Sequence, residues 1–124
     1  MNAATHNFNP EIIATLIKAG ADVNARTEYG STVLMEVATF NSNPEAIKVL
    51  INGGANVNAK DEDGRTALMD AATFNSNPEI VKALVKAGAD VKATDKSGQT
   101  ALDRMKKNLK LYKTDAYWEV NDKM

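Results

Sequence analysis

The chain has 124 residues, a formal net charge of −1 and 44% hydrophobic residues, which suits one modest core and leaves no basic footprint for nucleic acid. It contains no cysteine, which excludes a disulfide scaffold and a thiolate metal site. No apolar run approaches the ~18 residues of a membrane span, and the polar stretch 1–8 lacks a signal-peptide core, so a cytoplasmic setting is the expectation.

In chain order, the first patterned segment opens at Asn9-Pro10. Proline at the first helical position sacrifices an N–H that has no partner there anyway. Ile12, Ile13, Leu16 and Ile17 then form one helical stripe, and Gly20 stops it. A turn at Thr27-Glu28-Tyr29-Gly30 leads to Thr32, which is placed to cap a short helix through Leu34-Met35. A loop, Asn41-Ser42-Asn43, precedes Pro44, and the stripe Ala46, Ile47, Leu50, Ile51 ends at Gly54. The pattern then recurs. Asp61-Glu62-Asp63-Gly64 is a turn, Thr66 caps the helix Ala67–Phe74, and Asn77 caps a helix over 79–87 after Pro78. That helix carries Ile80, Val81, Leu84 and Val85, Gly88 ends it in the left-handed conformation, and 89–94 is an extended arm. In the last segment Asp103, Arg104, Lys106, Lys107 and Lys110 replace small apolar residues, as a polar outer face would require, and Thr114 is placed to cap a final helix.

The interval is constant. Asn-Pro falls at 10, 44 and 78 (44 − 10 and 78 − 44 are both 34), as do Gly20, Gly54, Gly88 and Gly30, Gly64, Gly98. A fixed period of this length marks a solenoid, in which no helix pair buries its faces alone and stacking makes one continuous core. The units are 27–60 and 61–94, with an incomplete first unit at 1–26 and a capping unit at 95–124. Met1 aligns with Met35 and Met69, so the chain starts inside a helix; a fragment of a longer array is the favoured expectation, and a native short protein with a worn first unit the alternative. Trp118 lies 34 residues after Leu84 and is expected to fill the same slot and seal the stack.

The motifs Asp61-Glu62-Asp63-Gly64-Arg65-Thr66-Ala67-Leu68, Glu79-Ile80-Val81-Lys82-Ala83-Leu84 and the arms Ala19-Gly20-Ala21-Asp22-Val23-Asn24-Ala25 and Gly54-Ala55-Asn56-Val57-Asn58-Ala59 resemble those of ankyrin-repeat proteins over almost the whole chain. The resemblance implies an all-α solenoid of helix pairs with short β-hairpin-like arms, whose first helices and hairpin tips form a concave groove that binds protein partners. The Asn-Pro-Glu form, one residue longer than the usual ankyrin unit, resembles bacterial members. The family's usual Thr-Pro-Leu-His is replaced by Thr32-Val33-Leu34-Met35 and Thr66-Ala67-Leu68-Met69, so methionine packing has to stand in for the histidine that ties hairpins together.

Nothing in the sequence assembles a catalytic site, and no cofactor or metal is expected. His6, the only histidine, lacks a partner for acid–base or nucleophilic work. Asp61, Asp63 and Asp70 resemble part of a calcium loop, but setting Gly64 at position six puts Ala59 where a carboxylate is needed, so an ordinary turn is the reading. Gly53-Gly54 is a helix stop rather than a phosphate loop. The informative feature is a stripe on the first helices: Glu36, Thr39 and Phe40, then Asp70, Thr73 and Phe74, with Asn2, Thr5 and His6 one unit earlier. Aromatic residues flanked by charges make good anchors, but the identity of Phe40 and Phe74 in two adjacent units favours packing beneath the extended inter-helix loops. At the hairpin tips Glu28, Tyr29, Glu62, Asp63, Arg65 and Lys96 vary between units and are partner-contact candidates, Tyr29 foremost. The expectation is a non-enzymatic protein-interaction module with an unidentified protein partner and no nucleic-acid or membrane ligand. The alternative is self-assembly, as a weak homodimer through the uncapped N-terminal face.

Overall fold

The computed structural model describes residues 9–40, 43–75, 77–108 and 111–123. Seven helices follow one another within them: α1 (Pro10–Lys18), α2 (Val33–Phe40), α3 (Pro44–Asn52), α4 (Ala67–Phe74), α5 (Pro78–Lys86), α6 (Ala101–Lys107) and α7 (Asp115–Lys123). Among the described residues there is no strand, and the only β-type pairing is an isolated antiparallel bridge between Arg26 and Thr32. The all-helical solenoid expected from the period is therefore the observed architecture.

Helix starts follow local chemistry. Asn9, Asn43 and Asn77 each accept a hydrogen bond from the N–H of the glutamate two residues on, with proline between them at the first helical position. Thr32, Thr66, Thr100 and Thr114 accept from the N–H three residues on, all at 3.3 Å. Thr100 also forms a reciprocal capping box with Asp103. After α1, α3 and α5 the chain reverses through Gly20, Gly54 and Gly88 at φ of 94° to 98°, a left-handed backbone that glycine takes without a Cβ penalty.

The helices form two layers: α2, α4 and α6 pack side by side in one, and α1, α3, α5 and α7 in the other. Between them lies the core, with Leu34, Met35, Leu50, Leu68, Met69, Leu84 and Met105 fully enclosed. Met35 and Met69 thus occupy the interior as expected, and the backbone N–H of Thr32 also donates to the Met35 sulfur at 3.5 Å.

Polar ties between neighbouring units come from residues the sequence reading passed over. The Asn24 side chain donates to the Gly54 carbonyl and accepts from the Asn56 N–H; one unit on, Asn58 does the same with Gly88 and Asp90. At the ends of the first helices, Asn75 donates to the Ala38 carbonyl at 2.8 Å and Asn108 to that of Ala72 at 3.1 Å. Adjacent hairpins join through backbone bonds from Glu62 N–H to the Tyr29 carbonyl and from Lys96 N–H to the Asp63 carbonyl. These bonds, with the packing of Met35 and Met69, tie successive units together.

Two expectations at the C-terminal end need correction. Trp118 does not fill the slot of Leu84: it is 46% exposed, and Ala116, Tyr117 and Val120 are the buried residues of α7. Their counterparts Ile80, Val81 and Leu84 lie 36 residues earlier (116 − 80, 117 − 81, 120 − 84), because the connection between α6 and α7 is longer than that between α4 and α5. Tyr117 takes the interior position, and Trp118 packs edge-on against its ring at 5.0 Å. Nor is Arg104 an outward charge. Its guanidinium pairs with Asp95 and donates to Thr73 Oγ1 at 2.9 Å, with the side chain only 14% exposed. Lys106 and Lys107 do face solvent, whereas Lys110 lies outside the described residues.

Candidate functional site

The hairpin before each first helix is shaped by one residue. Thr27, Asp61 and Asp95, spaced by 34, each accept from the N–H groups two and four residues on. A backbone bond closes the same loop: Thr27 to Ser31, Asp61 to Arg65 and Asp95 to Gln99, at 2.9–3.0 Å. Each tip is a small rigid turn of the kind Asp and Thr side chains favour. Asp61 and Asp63 therefore act as turn and ion-pair residues. Arg65 reaches Asp61 Oδ2 at 3.2 Å and Asp63 Oδ2 at 3.1 Å.

The tips of the first two hairpins and the outward faces of α2 and α4 enclose a groove of about 420 Å³. It brings together Tyr29, Glu36, Phe40, Glu62, Asp63, Arg65, Asp70 and Phe74, eight of the ten residues singled out from the sequence. The other two, Glu28 and Lys96, stand exposed at hairpin tips and do not line it. Ser31, Met35, Thr39 and Asp61 complete the lining. Met35 and Asp61 had looked like core and turn residues, and only stacking shows that each has an edge in the groove. His6, Asn2 and Thr5, expected to extend the stripe, lie outside the described residues.

Phe40 and Phe74 are 67% and 59% exposed, so they do not pack beneath the inter-helix loops. Tyr29 is 65% exposed. Three aromatic rings therefore face solvent around one depression, where aromatic side chains are usually covered.

The polar groups differ in how they are held. Glu36 accepts from Ser31 Oγ at 3.1 Å. Asp70 is only 8% exposed, and none of the described residues donates to its carboxylate or pairs with it. Burial pushes its pKa up to about 7, with Asp61 and Glu36 adding to the rise and the fields of Arg65 and Arg104 opposing it. Both arginines are committed elsewhere, Arg65 to Asp61 and Asp63, Arg104 to Asp95 and Thr73. Asp95 shows the opposite outcome: burial pushes its carboxyl up, but hydrogen bonds from the Gln99 N–H, Arg104 and the Ser97 N–H together hold it below the usual range.

Chemically, the groove offers aromatic faces and carboxylates on a rigid frame. Among the described residues no group of three or more His, Asp or Glu is arranged to hold a metal ion. None of the helices among the described residues is long and apolar enough to cross a membrane. A second, smaller trough of about 220 Å³ lies at the N-terminal end, lined by Ile13, Leu16, Ile17, Val23, Val33 and Leu50 among others. Residues 1–8, which precede it in the chain, lie outside the described residues.

No curated protein matches the chain. The family model for ankyrin repeats in three copies matches residues 1–103. With that match over most of its length and the stacked helix pairs described above, the chain belongs to the ankyrin-repeat family.

Proposed function

We propose that this chain is a non-enzymatic recognition module that binds a protein partner in the groove between its first helices and hairpin tips. Ankyrin repeats are generally protein–protein interaction modules, and the groove residues supply a specific surface for that role. The observation that carries the reading is the grouping of three exposed aromatic rings, Tyr29, Phe40 and Phe74, around one depression. Covering each ring would stabilise a complex by on the order of 1–2 kcal/mol before association costs. Because capped helices and hydrogen-bonded turns already fix the backbone that carries these rings, little backbone ordering entropy is lost on binding. Units 27–60 and 61–94 are taken as the groove-bearing repeats, and 95–124 as the unit that closes the stack.

Affinity capture of partners from the source organism's extract, repeated with a Tyr29→Ala variant, tests the reading. Tyr29→Ala is expected to weaken the captured interaction by more than ~1 kcal/mol with the thermal midpoint unchanged. Equal retention by both proteins would remove Tyr29 as an anchor, and partners held equally by a Tyr29→Ala, Phe40→Ala, Phe74→Ala triple variant would remove the groove.

A further inference from the structure

The groove carries an excess of negative charge that the chain itself does not balance. Glu36, Asp61, Glu62, Asp63 and Asp70 line it against one cation, Arg65, which two of those carboxylates already hold. Asp70 is the distinctive member. It sits on α4 with only 8% of its surface exposed, its carboxylate bordering the groove and open to it, and no donor or cation among the described residues bonded to it. A carboxylate so largely desolvated and without a protein donor costs stability that an apolar residue in its place would not. The corresponding residue one unit later, Arg104, points its charge to Asp95 instead. Around this acceptor stand aromatic faces, which attract cations through the ring quadrupole.

We infer that Asp70 is the counter-ion for one cationic side chain, the ammonium or guanidinium of a basic partner segment, which enters the groove beside the rings of Tyr29, Phe40 and Phe74. This rests on the groove being the recognition surface and names the chemistry of what it recognises. The partner's cation supplies the hydrogen-bond donors that Asp70 lacks, and the rings cover its alkyl stem. Asp70 is faced by Arg65 and Asp61 from the hairpin, by Glu36 from α2 and by Arg104 from α6. An incoming cation restores the charged form of Asp70 that its surroundings disfavour, so binding strengthens as pH rises through neutrality.

The test uses the full chain and four capped peptides, Gly-Ser-X-Ser-Gly, with arginine, lysine, glutamine or glutamate at X, titrated by heteronuclear NMR. Saturable shifts are expected at the amides of Tyr29, Asp70 and Phe74 with the arginine or lysine peptide, and none with the glutamate peptide. Which cation binds more tightly identifies the source of the charge. In Asp70→Asn the affinity is expected to fall about fivefold or more. Between about pH 6 and pH 8 the wild-type affinity is expected to rise about fivefold to tenfold as Asp70 ionises, measured in a His6→Gln background so that no histidine titrates in the same window. Asp70→Asn should lose that rise. Tyr29→Ala, which alters an exposed side chain, gives a second variant whose fold is secure and should also weaken the cationic peptides. Equal shifts with the glutamine and cationic peptides, or unchanged binding in Asp70→Asn, would overturn the assignment while leaving the groove as a peptide site. Absence of groove shifts with every peptide would overturn it and count against the groove as well.

Discussion

Asp70 shows how a single residue trades stability for a surface. Its carboxyl is ordinarily half-ionised at 3.8 but titrates at about 7 in the folded chain, because burial disfavours the charge. The folded state therefore holds the proton more tightly than the unfolded state. Its contribution to stability is complete below pH 3.8 and is lost as the pH rises to about 7. Asp70→Asn should remove this loss and raise stability at about pH 8 by on the order of 1–3 kcal/mol, read from urea unfolding at several pH values. If wild type and variant show the same pH dependence of the midpoint between about pH 5 and pH 8, Asp70 is not the group responsible. The sequence alone marked Asp70 as a groove candidate through its spacing from Thr73 and Phe74. Its burial was not legible, because it comes from α2 and α6 packing on either side of α4, contacts between elements about one repeat apart in the chain.

At the scale of elements, the helices and their starts were read almost to the residue. Asn-Pro and Thr caps act over two or three residues, so local sequence determines them. The register of α7 was misread, because the period that places Leu84 fails where a longer connection precedes the helix, and Tyr117 takes the slot assigned to Trp118. The hairpins have a cost that only stacking reveals. Gly64 and Gly98 both have positive φ, 76° and 80°, but a Cβ on Gly64 would meet the backbone of Lys96 and Asp95 at 3.3–3.4 Å, whereas one on Gly98 meets nothing within 4 Å. Gly98→Ala should cost about 1–2 kcal/mol from backbone strain alone, and Gly64→Ala about 1 kcal/mol more. Chemical denaturation of both variants checks the difference, and equal costs would mean that the hairpins do not pack this closely.

For the molecule as a whole, stability is shared along the stack rather than held in one centre. The units 27–60, 61–94 and 95–124 each contribute a helix to both layers, and Asn24, Asn58, Asn75 and Asn108 hydrogen-bond neighbouring units. Leu84 lies where α5 meets the other layer and is fully buried, so Leu84→Ala should lower stability by about 2–5 kcal/mol. A change within experimental error in the unfolding midpoint would contradict its place in the core. The same stacking aligns equivalent residues of successive units on one face, which is why eight of the ten residues chosen from the sequence converge on a single groove. Hydrogen–deuterium exchange of the chain with and without a captured partner tests the central claim most directly. Protection is expected in the hairpin tips at 27–31 and 61–65 and along the groove faces of α2 and α4, with α3 and α5 unaffected. Protection confined to α3 and α5 on the opposite layer, with the tips exchanging as before, would contradict recognition through the groove.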